Sequence, residues 1–225
     1  MKIIKKYLDK GQYLPATRNK FSLWYHHTVS SSWLSSWNWW NQTKTRVGTA
    51  YLVGRKGQVV ECFNPEAFAY HLGIKGDDNF HERHGVGIEV VSMGRLTKKG
   101  NKFYDAYKQI VPEVEVCKLK KLFRGNRYYQ KITKAQIIAV VKLTEELLIR
   151  FPGITLPDNF DKIFDFDQSV IDYRKPGIYA HSKVRKDKDD IFPQPDFIKA
   201  LNNHFIKPVK KRTVNHSNPK EKHRR

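Results

Sequence analysis

Strand-like segments fill the first half of this chain and one strong helical period dominates the second, an order that few architectures accommodate. Phe21-Ser22-Leu23-Trp24-Tyr25-His26-His27 and the stretches 49–53, 58–63 and 86–91 are short and rich in aromatic or β-branched residues, as strands are. Gly54-Arg55-Lys56-Gly57 separates the second from the third and predicts a hairpin. The helix announces itself at Thr133-Lys134-Ala135-Gln136, a capping box in which hydroxyl and amide side chains satisfy free backbone N–H groups. Ile137, Val140, Val141, Thr144 and Leu148 continue one helical face, and Pro152-Gly153 stops it. With strands early, a long helix late and no internal repeat, the expected fold is α/β: a mixed central β-sheet packed by helices.

The remaining stretches set boundaries. Residues 1–20 read as a polar N-terminal lead-in, 21–206 as the folded domain, and 207–225 as a basic tail in which Pro208 and Pro219 discourage a packed helix. Hydroxyl residues from Thr28 to Ser32 suit a helix cap, and Trp33, Leu34, Trp37 and Trp40 then recur at helical spacing, a pattern that fits core better than a ligand cage. Residues 101–130 are charged and aromatic without a period and read as an insertion. Cys62 and Cys117 lie far apart, outside any CxxC spacing, so neither a disulfide framework nor a cysteine zinc knuckle is indicated.

The formal charge of +20 draws such a chain to polyanions, but charge alone does not choose between nucleic acid, wall polymers and anionic membranes. The start Met1-Lys2-Ile3-Ile4-Lys5-Lys6 is basic, yet Lys5, Lys6, Asp9 and Lys10 break the apolar run that a signal peptide needs. No apolar stretch approaches the roughly 20 residues that cross a bilayer. The expected location is therefore cytoplasmic, or one reached by a route other than a signal peptide.

Histidines carry the first hint of chemistry, since catalytic zinc takes three protein ligands, commonly imidazole and carboxylate, and leaves one position for water. His26 and His27 close a strand, and because neighbouring strand side chains face opposite ways only one can enter a given site. The second region is Ala180-His181 followed by a loop dense in charge, Lys186-Asp187-Lys188-Asp189-Asp190. Alone, that loop reads as a solvated charged surface. His81-Glu82-Arg83-His84 lacks the His-Glu-x-x-His spacing that sets two imidazoles one helical turn apart, and it too reads as a solvated loop.

Together, Leu23-Trp24-Tyr25-His26-His27-Thr28, Gly54-Arg55-Lys56-Gly57-Gln58-Val59, Tyr70-His71-Leu72-Gly73, Gly85-Val86-Gly87-Ile88-Glu89-Val90 and Ala180-His181 with Lys188-Asp189-Asp190 follow the order of one family. From about residue 20 to about 200 the chain resembles the type 2 N-acetylmuramoyl-L-alanine amidases. These include phage lysozymes with amidase activity, cytosolic anhydro-muropeptide amidases and animal peptidoglycan recognition proteins. The resemblance implies a zinc amidase or peptidoglycan-recognition-like fold, with Zn2+ as cofactor. It implies His26, rather than His27, and His181 as ligands. The third is Asp190, which keeps the lysine-to-ligand step from Lys188, with Asp189 as the alternative, because Ile191 and Phe192 replace the family's usual proline and glycine. It further implies Glu89 as the acid/base, Lys188 as a catalytic cation and His71 as a contact in the substrate groove. The family usually carries an asparagine near His84, so substrate contacts there are expected to differ.

The implied reaction is zinc-dependent hydrolysis of the amide bond between N-acetylmuramic acid and L-alanine in peptidoglycan. The implied partners are a peptidoglycan or muropeptide substrate and, through the basic tail, anionic envelope polymers. A module that binds peptidoglycan without cutting it is the alternative. Specific nucleic-acid binding has only charge and tryptophans in its favour, with no motif behind them.

Overall fold

Strand β2, Ser22–Val29, is the axis of the molecule. In the computed structural model, which describes residues 1–16 and 19–206, its eight residues pair in parallel with β5 (Gly85–Ser92) on one side, and Ser22 to Tyr25 pair in parallel with β11 (Gly177–Ala180) on the other. Beyond β5 come β3 (Tyr51–Val53) and β4 (Val59–Glu61), the expected antiparallel hairpin, and then β1 (Ile3–Lys5). The six-stranded order β1-β4-β3-β5-β2-β11 makes a mixed sheet, as expected. One difference lies at its edge, where Ile3 to Lys5 of the lead-in pair in parallel with Val59 to Glu61. Lysines on both sides of the two isoleucines make that strand look like a solvated start in sequence, yet an edge strand needs only backbone partners on one side.

Helices cover the sheet for reasons visible in their sequences. Helix α1 (Trp33–Gln42) starts where the Ser32 hydroxyl accepts from the Ser35 N–H, and only Ser36 and Trp40 of it are buried. Helix α2 (Phe80–His84) precedes β5 directly. The long α3 (Lys134–Arg150) has its full capping box at Thr133 and Gln136 and buries Val140, Leu143, Thr144 and Leu147. Burial of each large aliphatic side chain there contributes roughly 1.5–3 kcal/mol. Gln136, also buried, donates from Nε2 to the carbonyls of Val53 (3.1 Å) and Val91 (2.7 Å), so a polar side chain fastens the start of α3 to the sheet. Short helices α4 (Ser169–Asp172) and α5 (Pro195–Leu201) complete the cover.

The stretch read as an insertion without a period is structured, though in small pieces. Strands β6 (Thr97–Lys99), β7 (Lys102–Tyr104) and β8 (Ile110–Val111) form one sheet, and β9 (Val116–Phe123) with β10 (Asn126–Gln130) forms a ribbon. Leu96, Phe103, Val111 and Val116 make its own small core. Cys62 and Cys117 are free and buried. Among the described residues no helix is long and apolar enough to cross a membrane. The tail from 207 lies outside the described residues.

Candidate active site

The alternation of β2 sorts its side chains between two faces. Tyr25 reaches α3, where its hydroxyl meets that of Thr144 at 2.7 Å, and packs edge-on against Phe197 of α5. Its neighbours Trp24 and His26 therefore face the other way. Trp24 seals that face with Leu72, Val170 and Val184, and His26, two residues on, is 2 % exposed. His27 returns to the Tyr25 side, where neither ring nitrogen has a hydrogen-bond partner. Gly94, at φ +62°, packs so closely that a Cβ there would collide with the His27 ring.

His181 begins a turn of 3-10 helix at the end of β11, which brings it beside β2. Its Nε2 lies 2.9 Å from the Leu72 carbonyl and its Nδ1 2.6 Å from Asp190 Oδ2. Asp190 Oδ2 is also 3.7 Å from His26 Nδ1. One ligand atom from each of His26, His181 and Asp190 falls within 4.8 Å of the others. Tetrahedral zinc with bonds of about 2.1 Å spaces its ligand atoms roughly 3.4 Å apart, inside the span observed. Asp189 stands apart, its Oδ2 3.6 Å from Arg95 Nε.

The charge states also fit a cation. Burial drives the His26 imidazole down to about 3, against the hydrogen-bonding influence of Asp190. Burial opposes ionisation of Asp190, but the imidazoles of His181 and His26 hold its carboxyl well below the ordinary range. A neutral imidazole and an ionised carboxylate are the forms that bind metal.

Glu89 is the register partner of His26 across the β2–β5 pair, so the two lie side by side on one face. Burial pushes its carboxyl up to about 8, Asp190 adds to the push and Lys188 opposes it. A cation held by His26, His181 and Asp190 would pull Glu89 back toward the anion.

His71 and Glu82 were read differently in sequence. Both ring nitrogens of His71 face protein groups: Nδ1 lies 2.9 Å from His26 Nε2, and Nε2 lies 3.3 Å from Glu82 Oε2. Its side chain is 5 % exposed, which leaves little of it for a groove. The run His81-Glu82-Arg83-His84 is a correction: it forms α2 rather than a solvated loop, with His81 and Glu82 buried. The charged letters concealed this because their partners, Asp77 for His81 and the amides of residues 71–73 for Glu82, are not predictable from local pattern.

A cleft of about 630 Å3 opens two residues beyond His26, lined by Thr28, Ser30, Ser35, Ser36, Trp39 and Tyr107 among others and by no lysine or arginine. Trp39 and Tyr107 are 59 % and 62 % exposed. Neither this cleft nor a larger cavity of about 860 Å3, between β9 and α5, is lined by His26, His181, Asp190 or Glu89, but only the cleft shares strand β2 with His26.

Residues 21–195 match the family model described as N-acetylmuramoyl-L-alanine amidase. Among solved structures, that of PlyL is 14% identical, with 89% of this chain and 97% of that chain covered and a TM-score of 0.50. A mutant endolysin from Bacillus subtilis is 12% identical, with 89% and 99% covered and a TM-score of 0.50. The N-acetylmuramoyl-L-alanine amidase LysC from Clostridium intestinale is 14% identical, with 90% and 98% covered and a TM-score of 0.46. No sequence among curated proteins matches. The mixed sheet and its helical cover are the fold that PlyL and the endolysin share with this chain.

Proposed function

Because the chain belongs to the N-acetylmuramoyl-L-alanine amidase family, we propose that it is a zinc-dependent hydrolase that cuts the bond between N-acetylmuramic acid and L-alanine in peptidoglycan. The observation that carries this reading is the convergence of His26, His181 and Asp190 on one point, with Glu89 beside His26 on the same face. A purely structural zinc site closes its fourth position with a protein ligand, whereas three ligands leave room for water.

A zinc ion held by His26, His181 and Asp190 would supply a Lewis acid for the lactyl carbonyl and for the attacking water. Glu89 takes a proton from the attacking water as its oxygen bonds to the carbonyl carbon, and delivers it to the alanine nitrogen as the carbon–nitrogen bond breaks. Lys188 stands by the oxyanion that develops between these events. The products are a free lactyl carboxylic acid and a free amine, so the protons balance. The cleft at Thr28, two residues along β2 from His26 and lined by hydroxyls and Asp105 but by no lysine or arginine, suits a neutral sugar chain whose faces can lie against Trp39 and Tyr107.

Incubation of the protein with purified peptidoglycan, followed by mass spectrometry of the soluble fragments, tests the reading. The expected products carry new L-alanine amino termini, and chelation of the metal stops their release. Tight binding to the wall with no such fragments, even after zinc is added, would make the protein a recognition module instead.

A further inference from the structure

Glu82 and His71 make a chain of side chains that ends on the metal-facing histidine. Glu82 is 3 % exposed and sits on α2, yet its Oε1 accepts from the backbone N–H groups of Leu72 (2.8 Å), Gly73 (3.2 Å) and His71 (3.2 Å). Its Oε2 accepts from the His71 N–H at 3.1 Å and stands 3.3 Å from His71 Nε2. His71 Nδ1 in turn lies 2.9 Å from His26 Nε2. Burial of Glu82 costs several kcal/mol unless its charge is compensated, and an acid kept only to fasten a loop could be an amide.

The position of the protons follows from the partners. Burial raises the Glu82 carboxyl, while the N–H groups of Leu72, His71 and Gly73 favour its anion; as an anion it only accepts, and the ring proton of His71 then belongs on Nε2, beside Glu82. His71 Nδ1 then carries a lone pair and accepts from His26 Nε2–H. That leaves the lone pair of His26 on Nδ1, the atom that faces Asp190 at 3.7 Å. His181 is set the same way, since its Nε2–H donates to the Leu72 carbonyl and its Nδ1 faces Asp190. The Leu72 residue that receives His181 through its carbonyl is held through its N–H by Glu82.

We propose that Glu82 is a positioning residue for the metal site: through His71 it fixes the tautomer and ring orientation of His26, and through Leu72 it fixes the acceptor that orients His181. The inference rests on the zinc reading above. Outer partners of this kind typically hold 10–100-fold in metal affinity.

Zinc affinity, measured by competition with a chelating dye, tests it alongside thermal unfolding of the metal-free protein. Glu82→Gln retains an oxygen for the amides of residues 71–73 but removes the charge, so it is expected to weaken zinc about 10–100-fold with little change in the melting temperature. Cobalt bound in place of zinc should show a shifted visible spectrum in the variant, which a purely structural role would not produce. His71→Gln should weaken zinc similarly, and the two changes together should cost no more than either alone, because they break one chain. Affinity in Glu82→Gln equal to that of the unaltered protein, or losses that simply add in the double variant, would overturn the proposal. If Glu82→Gln does not fold, the His71→Gln affinity and cobalt spectrum decide alone. Failure of the unaltered protein to bind zinc would instead remove the zinc reading itself.

Discussion

Two histidine–carboxylate pairs in this molecule are nearly superimposable in their chemistry and opposite in their use. His81 Nδ1 lies 2.6 Å from Asp77 and its Nε2 3.2 Å from the Val170 carbonyl; His181 Nδ1 lies 2.6 Å from Asp190 and its Nε2 2.9 Å from the Leu72 carbonyl. Both imidazoles are buried. Around His81 stand the rings of Phe80, Trp24 and Phe21, with centroids 5.6, 6.0 and 6.3 Å away. Around His181 stand a second imidazole, His26, at 4.6 Å and a carboxylate that is 16 % exposed. A buried pair enclosed by apolar rings has all its hydrogen-bonding capacity met and serves as a rigid strut. The same pair with a third donor and an opening has a coordination position to offer.

The largest effect should come from breaking the open pair. Asp190→Ala is expected to lose zinc and bring hydrolysis to background, while Asp189→Ala keeps its zinc, because Asp189 pairs with Arg95 instead. Metal analysis of the two purified variants decides, and the reverse outcome would move the ligand to Asp189. Next comes Glu89→Gln, expected to lower turnover on the order of 10²-fold or more with zinc content unchanged, since it deletes an acid/base and no ligand. Undiminished turnover would return Glu89 to an ordinary strand residue.

Breaking the closed pair should act on stability alone. Asp77→Ala leaves a buried imidazole without its partner, a loss of about 1–3 kcal/mol and on the order of 5 °C in melting temperature. Zinc content and turnover should hold. If they fell with stability intact, the contrast between the two pairs would be wrong.

The smallest effect concerns Lys20, buried beneath α2, where its Nζ donates to the carbonyls of Ala67 and Arg83. Burial lowers its pKa to about 8, from 10.5. Between those values the unfolded chain holds the extra proton, so stability rises with pH, by about 1 kcal/mol from pH 8 to 9. Chemical denaturation of Lys20→Met should lack that rise. A variant curve parallel to that of the unaltered protein would show that Lys20 titrates normally.

The contrast between the pairs also marks how far the sequence could be read. The elements with a local signature were legible: the hairpin around Gly54 and Gly57, the capping box at Thr133 and Gln136, and the aromatic strand that bears His26. Motif order singled out the proposed site residues His26, His181, Asp190 and Glu89; in the structure the first three cluster and Glu89 pairs in register with His26. Glu82 was not, because its meaning depends on three backbone amides eleven to nine residues earlier. Nothing in Phe80-His81-Glu82-Arg83-His84 distinguishes a buried acid from a solvated one. The insertion failed for a related reason, since strands of two or three residues such as β6 and β8 are too short to display a period.

The parallel pairing of β11 with β2 has a consequence for how the molecule comes together. Its two partners are separated by nearly the whole domain, and long-range pairing of this sort forms slowly. His26 lies on the earlier strand, and His181 and Asp190 follow the later one, so no fragment that lacks either end owns the complete proposed ligand set. Zinc bound to the native chain and not to the open one adds stability by mass action. On the proposed zinc reading, the metal content of a preparation therefore counts the molecules whose two ends have come together, an index of completed folding that can be read without any substrate.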